Sequence, residues 1–207
     1  MIEIIKETVV NGKLKKVEEA VNEALAGGAT AQEVLDSMMG AMDEVGAKFQ
    51  KNEIYVPEML VAAKTMQRGV GVLKPLLGGD AVGKYGKFII GTVAGDLHDI
   101  GKNLVAMMVE AAGFEVIDLG IDVPAEKFVE TVKANPDCKV VGVSALLTTT
   151  MEAMRVTVKA LIDAGLKDQV KIMVGGAPIT QAFADEIGAD AYTTDAASAA
   201  VKAKELA

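Results

Sequence analysis

The amino-acid sequence predicts an α/β protein in which an all-α four-helix bundle precedes a five-stranded parallel, doubly wound sheet. Two observations carry this prediction. Apolar residues in residues 1–77 recur at the three- and four-residue spacing of helices. From Lys87 onward, short apolar runs alternate with helical stretches. Five consecutive β-α units of this kind imply a parallel sheet covered by helices.

The N-terminal half is predicted to contain four helices joined by short links. A short helix is expected at residues 2–10, and a second one ends at Gly27-Gly28, where glycine is a common C-cap. The third begins at Thr30, which has Glu33 at the spacing of a capping box. The fourth follows Val56-Pro57. Short links between amphipathic helices favour an antiparallel bundle.

A change of composition separates the two halves. Four glycines without an apolar period predict a linker at residues 78–86, between a helical cap domain at 1–77 and a Rossmann-like domain at 87–207. Right-handed crossovers favour the flavodoxin-like strand order 2-1-3-4-5. The expected strands are FIIGTVA, FEVIDLG, KVVGVSAL, KIMVGG and ADAYTT, and the expected helices lie near residues 102–112, 124–134, 150–164, 179–187 and 195–205.

Charge and composition exclude several classes of partner. The 207 residues carry a formal net charge of −8, which argues against nucleic acid or an anionic membrane surface as a partner. No apolar run approaches the roughly 20 residues of a membrane span, and charges interrupt the N-terminal stretch MIEIIKETVV. A single cysteine, Cys138, suits a reducing compartment. A cytoplasmic protein is therefore expected.

The strand ends of the second domain carry the residues that indicate a ligand site. Open parallel sheets bind ligands at the carboxyl ends of their strands, beside the switch point between strands 1 and 3. Strand 1 runs into GDLHDIGKNL, which contains His98, the only histidine. The G-x-G-x-x-G of a dinucleotide site is missing, and one histidine with two acids in a short loop makes a poor closed metal site. Taken singly, Gly175-Gly176 could be a β-α turn and the hydroxyl run at residues 148–150 a helix N-cap.

Three short motifs follow one another in the second domain: D-x-H-x-x-G (Asp96, His98, Gly101), S-x-L (Ser144, Leu146) and G-G (Gly175, Gly176). Together they resemble the cobalamin-binding domains of methionine synthase and related corrinoid proteins. The segment at residues 45–66, VGAKFQKNEIYVPEMLVAAKTM, is similar to the helical cap domain of the same family. The resemblance is strongest to the stand-alone corrinoid protein of anaerobic three-component methyltransferase systems, and it covers essentially the whole chain.

The resemblance implies that the cofactor is cobalamin, a cobalt corrinoid, bound base-off and His-on. His98 would replace the dimethylbenzimidazole as lower axial ligand, Asp96 would accept the other imidazole N–H, and Thr150 would complete the relay. Ser144 would hydrogen-bond the displaced base, and the glycines would leave room for the nucleotide tail. The implied cofactor contacts are Gly95, Asp96, Leu97, His98, Asp99, Ile100, Gly101, Ser144, Leu146, Thr148, Gly175, Gly176 and Ala196, with Tyr55 and Met59 of the helical domain, by position alone, over the upper corrin face.

The function that the resemblance implies is methyl transfer between two partner enzymes, with cycling between Co(I) and methyl-Co(III). A substrate:corrinoid methyltransferase would supply the methyl group, from methanol, a methylamine, a betaine or a methoxylated aromatic. An acceptor methyltransferase would pass it to a thiol or tetrahydrofolate, and a reductive activase is a further expected partner. Two alternatives stay open. A small subunit of an adenosylcobalamin mutase usually lacks a four-helix domain, and a cobalamin-sensing regulator needs a DNA-binding module, for which no basic helix-turn-helix is evident.

Overall fold

The structure, a computed structural model, describes residues 1–77 and 83–207. The chain divides into two units. One comprises Met1–Lys84 with Ala111–Gly113, and the other comprises Tyr85–Glu110 with Phe114–Ala207. Much of the linker predicted at residues 78–86 falls on residues 78–82, which lie outside the described residues.

The first unit contains the four predicted helices, and every pair of them is in contact. Four methionines of the third and fourth helices, Met38, Met42, Met59 and Met66, are buried and at most 4% exposed. Flexible thioethers thus fill a core that has few aromatic rings. The helices are α1 (Ile2–Val10), α2 (Val17–Ala26), α3 (Ala31–Gln50) and α4 (Val56–Leu73).

Local sequence signals set the ends of these helices. The capping box predicted at the start of α3 is confirmed: the Thr30 hydroxyl accepts from the Glu33 N–H at 3.2 Å, and the Thr30 N–H donates to the Glu33 carboxylate at 2.8 Å. Gly12, between α1 and α2, has φ +61°, and a Cβ there would lie 2.6 Å from Cγ1 of Val61. The turn can therefore approach α4 this closely because Gly12 has no side chain.

The second unit is a parallel sheet of five strands with the order β2-β1-β3-β4-β5, which confirms the predicted flavodoxin-like topology. Each strand is followed by a helix, as predicted. Among the described residues, none of the helices combines the length and apolar character of a membrane span. The elements are β1 (Lys87–Thr92), α5 (Ile100–Ala111), β2 (Glu115–Asp118), α6 (Ala125–Ala134), β3 (Cys138–Ser144), α7 (Met151–Asp163), β4 (Lys171–Gly175), α8 (Gln181–Ile187), β5 (Ala191–Tyr192) and α9 (Ala196–Leu206).

The central strands β1 and β3 are buried over nearly their whole length, because parallel strands of this kind are covered on both faces. Their register decides where the following loops leave the sheet. Thr92 of β1 pairs with Ser144 of β3, and Ser144 pairs with Gly175 of β4. The ends of three strands therefore lie side by side at one edge of the sheet.

Strand β5 is shorter than predicted, with only Ala191 and Tyr192 in the ladder instead of the whole ADAYTT segment. The reason is a competition for backbone groups at both ends. Before the strand, the Asp190 carboxylate accepts from the Ile172 N–H at 2.7 Å. After it, Asp195 caps α9 by accepting from the Ser198 N–H at 2.8 Å. The segment between these two side-chain hydrogen bonds is short, so only Ala191 and Tyr192 pair with β4.

Candidate cofactor site

The loop that follows β1 carries a buried aspartate and the only histidine. Asp96 is 0% exposed, whereas half of the His98 side chain is exposed. Gly95 opens the turn with φ +80°, and the Asp96 N–H donates back to the Val93 carbonyl at 3.1 Å. The loop therefore turns the carboxylate into the protein and leaves the imidazole at the surface.

Asp96 accepts four hydrogen bonds. Its Oδ1 accepts from Nδ1 of His98 at 2.7 Å and from the His98 backbone N–H at 3.1 Å. Its Oδ2 accepts from the Leu146 backbone N–H at 2.7 Å and from the Thr150 hydroxyl at 2.8 Å. The buried carboxylate is thus fully paired, with two donors on each oxygen.

This hydrogen bonding fixes the charge of Asp96 and the tautomer of His98. Burial raises the pKa of the Asp96 carboxyl, but the hydrogen bonds from Leu146, His98 and Thr150 outweigh burial and hold the pKa well below its ordinary value. Because an ionised carboxylate can only accept, the proton of the 2.7 Å contact belongs to Nδ1 of His98. In the neutral ring, Nε2 therefore keeps a free lone pair. No hydrogen bond joins Nε2 to any residue that the structure describes.

The hydroxyl run at residues 148–150 contributes one residue to this network. The three threonines form a single 3-10 turn before α7, in which Thr148 and Thr149 are exposed and Thr150 is buried. Thr150 occupies the N-cap position of α7, but its side chain makes no capping bond. Its hydroxyl contacts Asp96 and the Leu147 carbonyl instead. The interpretation of this run as a side-chain N-cap is therefore wrong for α7.

Sequence reasoning missed three groups that contact the loop. They are the Leu146 backbone N–H, the Thr92 hydroxyl, which donates to the His98 carbonyl at 2.9 Å, and Asp122, which accepts from the Gly95 N–H at 2.7 Å. A backbone donor leaves no mark in a sequence. For Asp122 the sequence indicates only a turn, because glycine and aspartate are both common turn residues, and it does not indicate the contact with Gly95.

The two glycines after β4 are needed for different reasons. A Cβ on Gly175 would have no neighbour closer than the Thr193 carbonyl oxygen at 3.9 Å, so this position opens onto free space. Gly176 has φ +132°, and a Cβ there would lie 1.7 Å from the Ala145 oxygen. Ser144 is half-buried beside Gly175. Gly176 is thus required by the fold, whereas Gly175 leaves space at the edge of the sheet.

An apolar rim of five exposed side chains lies in the segments that follow β1, β2 and β3. Large exposed apolar groups concentrated in one region mark a binding surface rather than ordinary exposure. Asp99 and Gly101, in the same segment as His98, are also exposed. The apolar rim consists of Leu97, Ile100, Ile121, Leu146 and Leu147, each at least 40% exposed.

The remaining predicted contacts lie elsewhere. Ala196 is the buried first residue of α9. Tyr55 and Met59 belong to the other unit, where Tyr55 precedes α4 and is exposed and Met59 is buried within the helix. The second unit therefore brings together Asp96, His98 and Thr150, while the two residues chosen by position in the helical unit stay predictions.

Comparison with known proteins identifies the ligand. A family model described as "B12 binding domain" matches residues 86–202, and a second model with the same description matches residues 1–74. Dimethylamine corrinoid protein 3 of Methanosarcina acetivorans is 43% identical over 98% of this chain and 94% of its own length.

Two solved structures share the fold. A cobalamin-binding protein from Desulfitobacterium hafniense has a TM-score of 0.84 at 33% identity and covers 100% of this chain and 98% of its own. The methanol:cobalamin methyltransferase complex MtaBC from Methanosarcina barkeri has a TM-score of 0.85 at 28% identity, covering 99% of this chain and 78% of that one.

The residues at the sheet edge fit a corrinoid. A corrin is a broad and largely apolar ring that carries its own metal, so it needs one protein donor and an apolar surface. In its neutral form His98 offers the lone pair of Nε2, the apolar rim offers the surface, and Gly175 leaves space beside them. Within residues 1–77 and 83–207, no three His, Cys, Asp or Glu side chains form a metal cluster of their own. The chain belongs to the family of cobalamin-binding corrinoid proteins.

Proposed function

We propose that this protein carries a methyl group between two methyltransferases on a corrinoid that His98 ligates. The observation that carries the proposal is the 2.7 Å contact between Nδ1 of His98 and the ionised Asp96, because it leaves Nε2 free on a half-exposed ring. When bound, the corrinoid supplies the cobalt that accepts and releases the methyl group.

His98 would hold the cobalt through Nε2 in place of the cofactor's own dimethylbenzimidazole. Imidazole nitrogen suits a metal of intermediate softness such as cobalt. Asp96 fixes the tautomer and strengthens the imidazole as a donor. Thr150 and the Leu146 N–H hold the carboxylate from the β3 side and keep the ring in one orientation.

The displaced nucleotide tail would run beside β4. Gly175 supports this route because a side chain there would project into free space that the tail can fill. Ser144, next to Gly175 in the sheet, would hydrogen-bond the benzimidazole nitrogen, while Leu146 packs nearby. Thr148 and Ala196 would complete the walls, and Tyr55 and Met59 are the candidates for the upper face.

Likeness to a dimethylamine corrinoid protein favours a methylamine as the methyl donor. Likeness to the methanol:cobalamin methyltransferase complex MtaBC supports a dedicated methyltransferase as the donor-side partner. The acceptor methyltransferase, acting on a thiol or tetrahydrofolate, and the reductive activase stay predictions. Purified carrier, loaded with cobalamin and chemically reduced to Co(I), should accept a methyl group from a methylamine methyltransferase and not from one specific for methanol. Equal transfer from both would remove the methylamine assignment.

Isotope labelling tests the ligand directly. Because His98 is the only histidine, protein grown on histidine labelled with ¹⁵N in the imidazole carries the label at this ring alone. Unlabelled cobalamin is bound anaerobically and reduced to the cobalt(II) state. An axial ¹⁵N nucleus splits the electron paramagnetic resonance lines into doublets, whereas the ¹⁴N of the cofactor's own base gives triplets. We expect doublets.

The matched control is His98→Ala, which should give triplets or a spectrum without nitrogen splitting. Triplets from the labelled wild-type protein would refute ligation by His98.

A further inference from the structure

We infer that Asp122 is a positioning residue for His98. Asp122 holds the loop after β1 from the side of β2. This inference rests on the proposed ligation by His98. Strand β1 lies between β2 and β3 in the sheet. The loop after β3 contacts the His98 loop through Leu146 and Thr150. Asp122, in the loop after β2, is the matching contact on the other side.

Two hydrogen bonds join Asp122 to the His98 loop. Its Oδ1 accepts from the Gly95 N–H at 2.7 Å, and its own N–H donates to the Asp96 carbonyl at 3.0 Å. The two bonds bracket the peptide unit between Gly95 and Asp96. This is the point at which the chain turns, since Gly95 has φ +80°. A glycine at that angle rotates easily unless its neighbours are held.

The loop that carries Asp122 is itself fixed to β1. The Thr92 N–H donates to the Gly120 carbonyl at 3.0 Å, and the Val123 N–H donates to the Thr92 carbonyl at 2.9 Å. Val93 and Val123 form a further parallel bridge. Asp122 therefore stands on a segment that continues alongside β1 after the regular strand pairing has ended.

The backbone of Asp122 is in the left-handed region, with φ +52°. Aspartate and asparagine adopt this region more readily than other residues with a side chain. In this conformation the side-chain oxygen and the backbone N–H both reach the His98 loop. Aspartate at this position thus both tolerates the left-handed backbone angle and provides the hydrogen-bond acceptor.

The consequence for His98 concerns orientation. Asp96 and the imidazole are two residues apart and move together as the loop rotates about Gly95. Contacts from the loop after β3 hold the Asp96 side chain, and the Thr92 hydroxyl holds the His98 carbonyl. Contacts from Asp122 hold the backbone of Gly95 and Asp96. Side-chain and backbone contacts are both needed to direct Nε2 along one line, which a metal with a defined axial position requires.

Three substitutions separate the hydrogen bond from the backbone angle. Asp122→Asn keeps an acceptor oxygen and tolerates the left-handed angle, so it should resemble the wild type. Asp122→Gly accepts the angle but removes the acceptor. Asp122→Ala removes the acceptor and is also strained at this angle. A loss shared by Asp122→Gly and Asp122→Ala but absent from Asp122→Asn therefore points to the side-chain oxygen, because glycine loosens the backbone and alanine strains it.

The first measurement uses the cofactor-free protein. Loss of one hydrogen bond of about 1 kcal/mol corresponds to an about fivefold change in an equilibrium. Amide hydrogen exchange at Gly95 should therefore be about fivefold faster in Asp122→Gly and within about twofold of wild type in Asp122→Asn. The ¹⁵N shifts of the single labelled imidazole report whether the Nδ1–H form persists. We expect Asp122→Gly to lower its population.

The second measurement uses the cofactor-loaded protein and the ¹⁵N doublet of the cobalt(II) spectrum. The ratio of His98-ligated to unligated cobalt should fall about fivefold in Asp122→Gly and be restored in Asp122→Asn. Unchanged doublets in Asp122→Gly would overturn the inference. Triplets from the wild-type protein would instead refute ligation by His98, and the exchange rate at Gly95 would still decide whether Asp122 holds the loop.

Discussion

The Thr150 hydroxyl donates to Oδ2 of Asp96 at 2.8 Å, although the two residues are 54 positions apart in the chain. Both side chains are buried. Asp96 belongs to the loop after β1 and Thr150 to the turn before α7, so the bond joins the ends of two neighbouring strands. Of the four donors to Asp96, it is the one that a substitution removes without changing His98 or the backbone.

Replacing Thr150 by Val should destabilise the cofactor-free protein. The substitution exchanges a hydroxyl for a methyl group of similar size and leaves Asp96 with three donors. We expect the free energy of unfolding to fall by about 1–3 kcal/mol, the usual cost of losing a partner of a buried charged group. Urea denaturation measures the change. Thr150→Ser keeps the hydroxyl and should cost about 1 kcal/mol, for one lost methyl group. A loss below about 0.5 kcal/mol for Thr150→Val would mean that the hydrogen bond contributes little to stability.

Replacing Asp96 by Asn should cost stability in a pH-dependent way. The folded pKa of Asp96 lies below its ordinary value. Its contribution to stability is therefore fully present above the unfolded pKa of about 3.9 and is lost as the pH falls from there towards the folded pKa. We expect Asp96→Asn to lose about 2–4 kcal/mol at pH 7. Below pH 4 the loss should shrink by up to about 1.4 kcal/mol per pH unit.

Denaturation of the cofactor-free proteins between pH 3 and pH 7 measures this difference. The control is Glu152→Gln, which removes an exposed carboxylate paired with Arg155 and should change stability by no more than about 0.5 kcal/mol. A difference between wild type and Asp96→Asn that stays constant with pH would contradict the ionised state of Asp96.

Hydrophobic period alone was enough to predict the fold class. Five apolar runs separated by helical stretches leave few parallel topologies, and β2-β1-β3-β4-β5 is the one found. Strand ends were harder to predict. Val93 continues the apolar run of β1 but lies beyond the end of the strand, where it forms an isolated bridge to Val123, because the chain turns at Gly95. Such ends depend on competing side-chain bonds, as with Asp190 and Asp195 around β5.

The site was predictable where it depends on rare residue types. His98 is the only histidine, is flanked by acids and follows a predicted strand of an open sheet, so the sequence alone indicates it as a site residue. The groups that hold it were less visible. The Leu146 N–H is a backbone donor, and Asp122 acts through a left-handed backbone angle. Both effects arise only when the loops after β2 and β3 meet the loop after β1, which no local pattern specifies.

Two helical glycines in the first unit should respond differently to alanine. At Gly40 in α3 a Cβ would meet no atom within 4 Å. Gly40→Ala should therefore raise the free energy of unfolding by about 0.5–1 kcal/mol, because alanine loses less backbone entropy in a helix. At Gly69 in α4 a Cβ would lie 2.3 Å from Cε of Met38 and 3.0 Å from Cγ2 of Val17.

Gly69→Ala must displace the Met38 side chain, which is fully buried and has little room to move. Overpacking of about 1–3 kcal/mol should exceed the helical gain and leave the protein less stable than wild type. Urea denaturation of both variants at one pH provides the comparison. If Gly69→Ala stabilised the protein as much as Gly40→Ala, the α3–α4 contact would be looser than the distances indicate.

The two glycines after β4 allow cofactor binding to be separated from folding. Gly176→Ala places a Cβ 1.7 Å from the Ala145 oxygen at φ +132°, so we expect a loss of stability of at least about 3 kcal/mol. At Gly175 the nearest atom to a Cβ is 3.9 Å away, so Gly175→Ala should leave the cofactor-free protein within about 0.5 kcal/mol of wild type.

Larger side chains at Gly175, such as in Gly175→Leu, should weaken cobalamin binding at least about tenfold by filling the proposed route of the nucleotide tail. Equilibrium titration with cobalamin, beside urea denaturation of the same samples, measures both quantities. Cobalamin that lacks the nucleotide tail, cobinamide, should bind wild type and Gly175→Leu equally. An equal loss for both ligands would place the tail elsewhere.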